Sequence, residues 1–345
     1  MGTGHSRTAT LPDMNGVLPD EIEELRRTAV AAAASCAAGT NGPPAEPVRA
    51  AFGALGTGEL LTDDDPVARL AAVVVLEVFG GAAAGAMLVV DQPGMALGAL
   101  AAIPDADLVG RLRAAAARGE VIGLAVFDEP VDVVSWVPGE SVPAALVQLA
   151  PDGITVAERP ALAAVPAPAG AAEASGGVEV RVIGPSHRFG VDTFPARSLA
   201  RLWVAALAVG VGAAALDHAI AYGRERVVFG RPVLAHQANA HDVAAVWARL
   251  DAARVAVRSA DTPWAMTQAY LEALPAALDA ADWGVQLLGG HGYVDDHPAQ
   301  RWYREAHLLR LLVGGADAAI DDLADRVLDE ITASTDELAG WELGA

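Results

Sequence analysis

The chain has 345 residues, 53% hydrophobic and 19% charged, enough for a large core and more than one packed unit. With 44 acidic against 23 basic residues the net charge is −21, which repels a polyphosphate backbone at long range and argues against a nucleic-acid role. The single cysteine, Cys36, excludes an internal disulfide framework or a thiolate metal site, so a cytoplasmic location is expected.

The opening MGTGHSRTATLPD has no apolar core of the signal-peptide kind. From Pro19 to about Ala38 the pattern predicts a helix, with Asp20, Glu21, Glu23 and Glu24 where the helix dipole favours negative charge. GTNGPPAEP breaks it. A second helical region covers Asp64 to about Leu100, interrupted near Gly80 to Gly85 and at Pro93, and a third covers Asp105 to Arg118. At Val121 the pattern changes. VIGLAVFDEPVDVVSWV and AALVQLAPDGITVAE carry β-branched runs with a turn at Pro151-Asp152-Gly153, and VEVRVIG alternates with a period of two, so all three read as strands. ALAAVPAPAGAAEASGG between them reads as a flexible surface loop.

Helices return from Pro195. Residues 196–227 are apolar nearly all round until Asp217, and their longest apolar run, Leu202 to Leu216, flanked by Arg201 and Asp217, falls short of the roughly 20 residues that span a bilayer, so a buried helix rather than membrane insertion is expected. Val243, Val246, Trp247, Leu250 and Arg254 keep helical spacing, as do Ile320, Leu323, Ala324, Val327, Leu328 and Ile331 on the last helix. The expected fold is mainly α with a small inserted β domain: residues 1–120 an N-terminal helical domain, 121–193 the β domain, and 194–345 a C-terminal bundle of about four helices. Trp203 and Trp247 read as core. The eight histidines show no ligand spacing, no HExxH occurs, and neither a metal site nor a histidine cluster is expected.

Two segments carry most of the functional information. Residues 215–237, ALDHAIAYGRERVVFGRPVLAHQ, end a helix in Arg-x-x-Phe-Gly with a Gln a few residues later. Residues 283–307, WGVQLLGGHGYVDDHPAQRWYREAH, contain Gln-x-x-Gly-Gly-x-Gly-Tyr followed by a Tyr-Arg-Glu-Ala run. Each has a plain structural reading as well, a helix-end cation and a helix-terminating turn. Together, in this order and spacing, they resemble the acyl-CoA dehydrogenase family.

The resemblance implies a helical, β, four-helix-bundle fold, an FAD cofactor shared across a subunit interface, an acyl-CoA substrate and an electron-transfer flavoprotein as partner. Carried over, Arg226 and Gln237 reach the diphosphate and adenylate half of a neighbour's FAD, with Phe229 and Gly230 shaping the turn. Gln286, Gly289 and Gly290 lie along the same cofactor. A guanidinium fork suits two phosphate oxygens and supplies local positive charge in an acidic chain. The catalytic glutamate of the family's Glu-Gly-Thr is missing, because Val313-Gly314-Gly315 stands there, and the family's alternative base position is Ala200. Asp317 stands near the position of the following Gln, and Asp128-Glu129-Pro130 replaces Thr-Glu-Pro. Positions serving a subunit's own flavin and substrate are changed, while those serving a neighbour's flavin are kept. The pattern resembles the short, base-lacking subunit of actinobacterial α2β2 acyl-CoA dehydrogenases, some acting on sterol side chains, which work with a longer subunit carrying the base. The alternatives are a self-sufficient dehydrogenase with a base relocated to Glu129 or Asp317, and a flavin-free structural homologue.

Overall fold

A computed structural model describes residues 18–36, 42–61, 65–139, 141–166 and 176–342. Helices α1 (Asp20–Cys36), α2 (Ala45–Gly53), α3 (Thr57–Leu60), α4 (Pro66–Leu100) and α5 (Ala106–Ala117) precede the strands. Asp65 and Asp105 cap α4 and α5, accepting from Val67 and Ala68 N–H and from Leu108 N–H. The short α2 and α3 have no counterpart in the sequence reading, because each offers too few turns for periodicity to register.

The predicted interruption of α4 sits at Ala83, whose backbone is non-helical (φ −158°, ψ 42°), and the helix runs on through position 93 without the second break expected there. A kink frees carbonyls that must find partners. Here the Trp302 indole N–H donates to the Gly81 carbonyl at 2.9 Å and Arg301 donates to that of Ala82 at 3.0 Å. Gly85 N–H donates to Glu305 at 3.1 Å. The bend is thus built jointly with a helix more than 200 positions away in sequence.

Strands β1 (Ile122–Val126), β3 (Ala145–Ala150), β4 (Gly153–Glu158) and β7 (His187–Phe189) form one sheet in the order β1-β3-β4-β7, parallel between β1 and β3 and antiparallel elsewhere. Strands β2 (Val133–Pro138), β5 (Leu162–Pro166) and β6 (Gly177–Val182) form a second, antiparallel sheet in the order β2-β6-β5. The period of two explains how the first sheet is buried on both faces. Val147, Leu149, Ile154 and Val156 join the helical core, while Leu146 and Ala157 meet Val137, Val178 and Val180 of the second sheet. β5 takes up the start of the segment read as a loop, whose remainder at 167–175 lies outside the described residues, and β7 was not anticipated.

The C-terminal part holds α6 (Phe194–Glu225), a two-stranded hairpin of β8 (Val227–Val228) and β9 (Arg231–Pro232), α7 (Gln237–Ser259), α8 (Pro263–Leu288), α9 (Ala299–Leu309) and α10 (Gly315–Glu342). Helices α4 and α6 are long and apolar enough to cross a membrane by length and composition, but 78% and 83% of their apolar windows are buried inside the fold. They pack so closely that a Cβ on Gly210 would collide with the Glu77 carbonyl.

Helix α10 corrects an expectation. Its apolar stripe faces outward, with Ile320 53% and Leu328 60% exposed. The inward face carries Ala319 and Asp322, and Asp322 lies 2.5 Å from Arg197 and 2.6 Å from Arg201 on α6. Arg326 adds a 2.6 Å contact to Asp192. Arg201, taken as a flank of the apolar run, is completely buried.

Candidate cofactor cleft

Helix α6 stops at Arg226, whose extended backbone (φ −70°, ψ 117°) leads into the β8–β9 hairpin. Phe229 (φ 53°) and Gly230 (φ 79°) form its tip, two successive left-handed residues as a tight hairpin turn requires. Glycine adopts this freely; phenylalanine does so at a cost of about 1–2 kcal/mol. The Phe229 ring is 94% exposed. His236 braces the hairpin, donating from Nε2 to the Val228 carbonyl at 3.0 Å and accepting from Arg231 at Nδ1 at 3.2 Å, with the tautomer set by that pair of bonds.

Helix α8 ends beside this hairpin. Gly289 closes it with φ 61° and ψ −130°, a conformation open to glycine alone, and donates its N–H to the Gln286 carbonyl. Between the two helix ends lies a cleft of about 640 Å³ lined by Tyr222, Arg226, Gln286, Gly289, Gly290 and His291, among others. Four of the six residues assigned to the cofactor from sequence are thus brought together. Phe229 stands on the hairpin tip and Gln237 in the first turn of α7, both exposed and neither lining the cleft.

The donor set suits a nucleotide diphosphate. The exposed Arg226 guanidinium makes no hydrogen bond or ion pair with the described residues, and the Gln286 side chain is exposed. Nothing lies within 4 Å of where a Cβ would stand on Gly289 or Gly290, so a ligand can approach the backbone there.

The base positions differ. Ala200 and Val313 are both buried, 1% and 8% exposed, and neither is a carboxylate. Val313 sits at φ 49°, strained for a β-branched residue, in the turn between α9 and α10. Tyr270 fixes that turn by donating to the Leu312 carbonyl at 3.0 Å, and burial pushes its phenol up to about 12. Glu129 is exposed in a loop that Gln148 pins through both Val131 N–H and C=O, at 2.8 and 2.9 Å. Asp317, also exposed, lines a separate cleft of about 510 Å³ with His307 and Arg310.

Two features escaped the sequence reading. The Tyr-Arg-Glu-Ala run carries structure, since Glu305 is the buried acceptor at the α4 kink. The histidines do cluster: His218 Nε2 and His297 Nδ1 are 3.1 Å apart, and His291 stacks edge-on 5.8 Å from His297. The available signal was His218 four residues before Tyr222 on one helix face.

The family profile of the acyl-CoA dehydrogenase C-terminal domain matches residues 197–328, which take in every lining residue named for the cleft. Over this segment the chain resembles the C-terminal domain of acyl-CoA dehydrogenases. An acyl-CoA dehydrogenase of Bacillus subtilis is 36% identical over 129 residues, 34% of this chain and 33% of its own length. The mitochondrial short-chain specific acyl-CoA dehydrogenase of Bos taurus is 34% identical over 125 residues, 34% of this chain and 30% of its own length. Sequence similarity therefore spans about a third of these curated relatives. The acyl-CoA dehydrogenase fold extends further. Glutaryl-CoA dehydrogenase of Mycobacterium smegmatis superposes with a TM-score of 0.76 at 18% identity, over 91% of this chain and 96% of that one. The Tcur3481-Tcur3483 steroid ACAD superposes at 0.71 with 19% identity, over 90% and 99%.

Proposed function

We propose that this chain is a base-lacking subunit of an FAD-dependent acyl-CoA dehydrogenase, and that its cleft completes the cofactor site of a longer partner subunit in an α2β2 assembly. The carrying observation is the contrast between an outward cleft holding an Arg226 unpaired among the described residues and two buried base positions, Ala200 and Val313, without a carboxylate. Bound FAD supplies the hydride acceptor for α,β-dehydrogenation of an acyl-CoA thioester. In this reading Arg226 grips the diphosphate, Gln286 meets the polar edge of the nucleotide, and Gly289 and Gly290 let the backbone come close. Gln237 and Phe229 reach it from α7 and the hairpin once the subunits meet. The partner would contribute the carboxylate that takes the α-proton, and an electron-transfer flavoprotein is the expected electron-accepting partner.

The relocated-base alternative draws no support from Glu129 or Asp317, both of which are exposed. The test is Arg226→Ala in the complex copurified with a longer acyl-CoA dehydrogenase subunit. Flavin content should fall at least tenfold while the two chains still copurify; unchanged flavin content would favour a scaffold role.

A further inference from the structure

Behind the cleft, side chains from α6, the two turns between α8 and α9, and α9 form one series of contacts. His218 on α6 shares a 3.1 Å hydrogen bond with His297, and its ring also meets Trp302 of α9 at 5.6 Å. The His297 ring meets Tyr222 at 5.6 Å and His291 at 5.8 Å. His291, 6.2 Å from Tyr222, reaches the cleft wall beside Arg226.

The charge balance of the cleft gives this series a role. Arg226 is the permanent cation among the lining residues and Asp296 the permanent anion, so they cancel. A diphosphate carrying two or more negative charges needs further positive charge, and the chain as a whole, at −21, opposes it. His291 is the group that can supply it.

The environment of the inner histidine favours an outward proton. His218 is faced by His297 from the 294–298 turn, by Trp302 from α9 and by Tyr222 of its own helix. Of the other charged groups close by in sequence, Asp295 accepts from Gln300 at 3.2 Å, and Arg301 is turned to the α4 carbonyls. Burial first, and the charge of His297 second, hold His218 below the ordinary histidine range, so it stays a neutral partner for His297.

We infer that His291, backed by His297 and His218, is a second diphosphate-binding group of the cleft and takes up a proton when the anion binds. The inference rests on the cofactor reading of the cleft. An anion beside an imidazole stabilises its charged form, so ligand affinity should rise as pH falls through the histidine range, by up to about tenfold per pH unit for one proton.

The test is an NMR titration of the histidine Cε1–H signals of the full chain between pH 5.5 and 8.5, without ligand and with ADP raised to millimolar concentration. Coenzyme A, run in parallel, separates a plain adenosine diphosphate from one bearing a 3′-phosphate. With ADP the His291 midpoint should rise by about one pH unit. ADP should bind at least fivefold more tightly at pH 6 than at pH 8, and His291→Gln should remove that gain. Arg226→Ala should weaken ADP at both pH values. If ADP perturbs cleft signals in an Arg226-dependent way while the His291 midpoint stays fixed, the inference is wrong and the cofactor reading stands. If only coenzyme A moves it, the group serves a substrate phosphate and the inference as stated fails. If neither ligand perturbs any cleft signal, both fall.

Discussion

Asp322 ties α10 to α6 through two buried arginines. It lies between Arg197 and Arg201, with all three side chains at most 6% exposed. Two buried cations around one acid are tolerable only while the acid is ionised, since an unpaired buried charge costs far more than the pair contributes. Asp322→Asn should therefore destabilise the chain by about 3–5 kcal/mol, read as a lowered urea midpoint. Glu305 works in the opposite sense. Burial raises its carboxyl above the ordinary carboxylate range, against the pull of Arg301 and the Gly85 N–H. Since the native pKa exceeds the unfolded one, the contribution of Glu305 is full below the ordinary carboxylate value and is lost as pH climbs toward the native one. Glu305→Gln keeps an acceptor for Gly85 and escapes this loss, so its stability relative to the parent should grow between about pH 5 and pH 8. A variant whose relative stability is flat across that range would contradict the account.

Among the elements, those whose burial follows a single period were legible in the sequence, and those held by distant partners were not. β3 and β4 with their Pro151-Asp152-Gly153 turn, α5 with its Asp105 cap and the buried α6 follow from local pattern. The apolar stripe of α10 misled, because the helix docks through Asp322 and Arg326 and leaves Ile320 and Leu328 outside. The histidine cluster was hidden because His218 and His297 stand 79 positions apart and meet through the packing of α6 against the 294–298 turn. Cleft residues were more accessible: Arg226 and Gln286 stand in short segments whose order and spacing the family retains, whereas the exclusion of Gln237 and Phe229 from the cleft lining required the hairpin geometry. The α9–α10 turn offers a direct check at this scale. Tyr270→Phe removes one of two donors to the Leu312 carbonyl, leaving the Gly315 N–H, and should cost about 0.5–1.5 kcal/mol, with loss of protection of the 310–315 amides in hydrogen exchange.

At the scale of the whole molecule, the proposed function sets two regions of one fold in contrast. The outward cleft has a guanidinium unpaired among the described residues, an exposed amide and open glycine backbone. The base positions are filled by Val313 and Ala200 inside the packed core. Such a division gives the chain a reason to assemble, because a half-site for a nucleotide gains most of its affinity only when a partner closes it. The net charge of −21 sharpens the point, since little but local cations can hold a diphosphate on this surface. The most direct test is flavin content and acyl-CoA oxidation for the chain purified alone and for the chain copurified with a longer, base-carrying acyl-CoA dehydrogenase subunit. The chain alone should be colourless and inactive, and the complex yellow and active with about one FAD per pair. Stoichiometric FAD and acyl-CoA turnover in the isolated chain would contradict this.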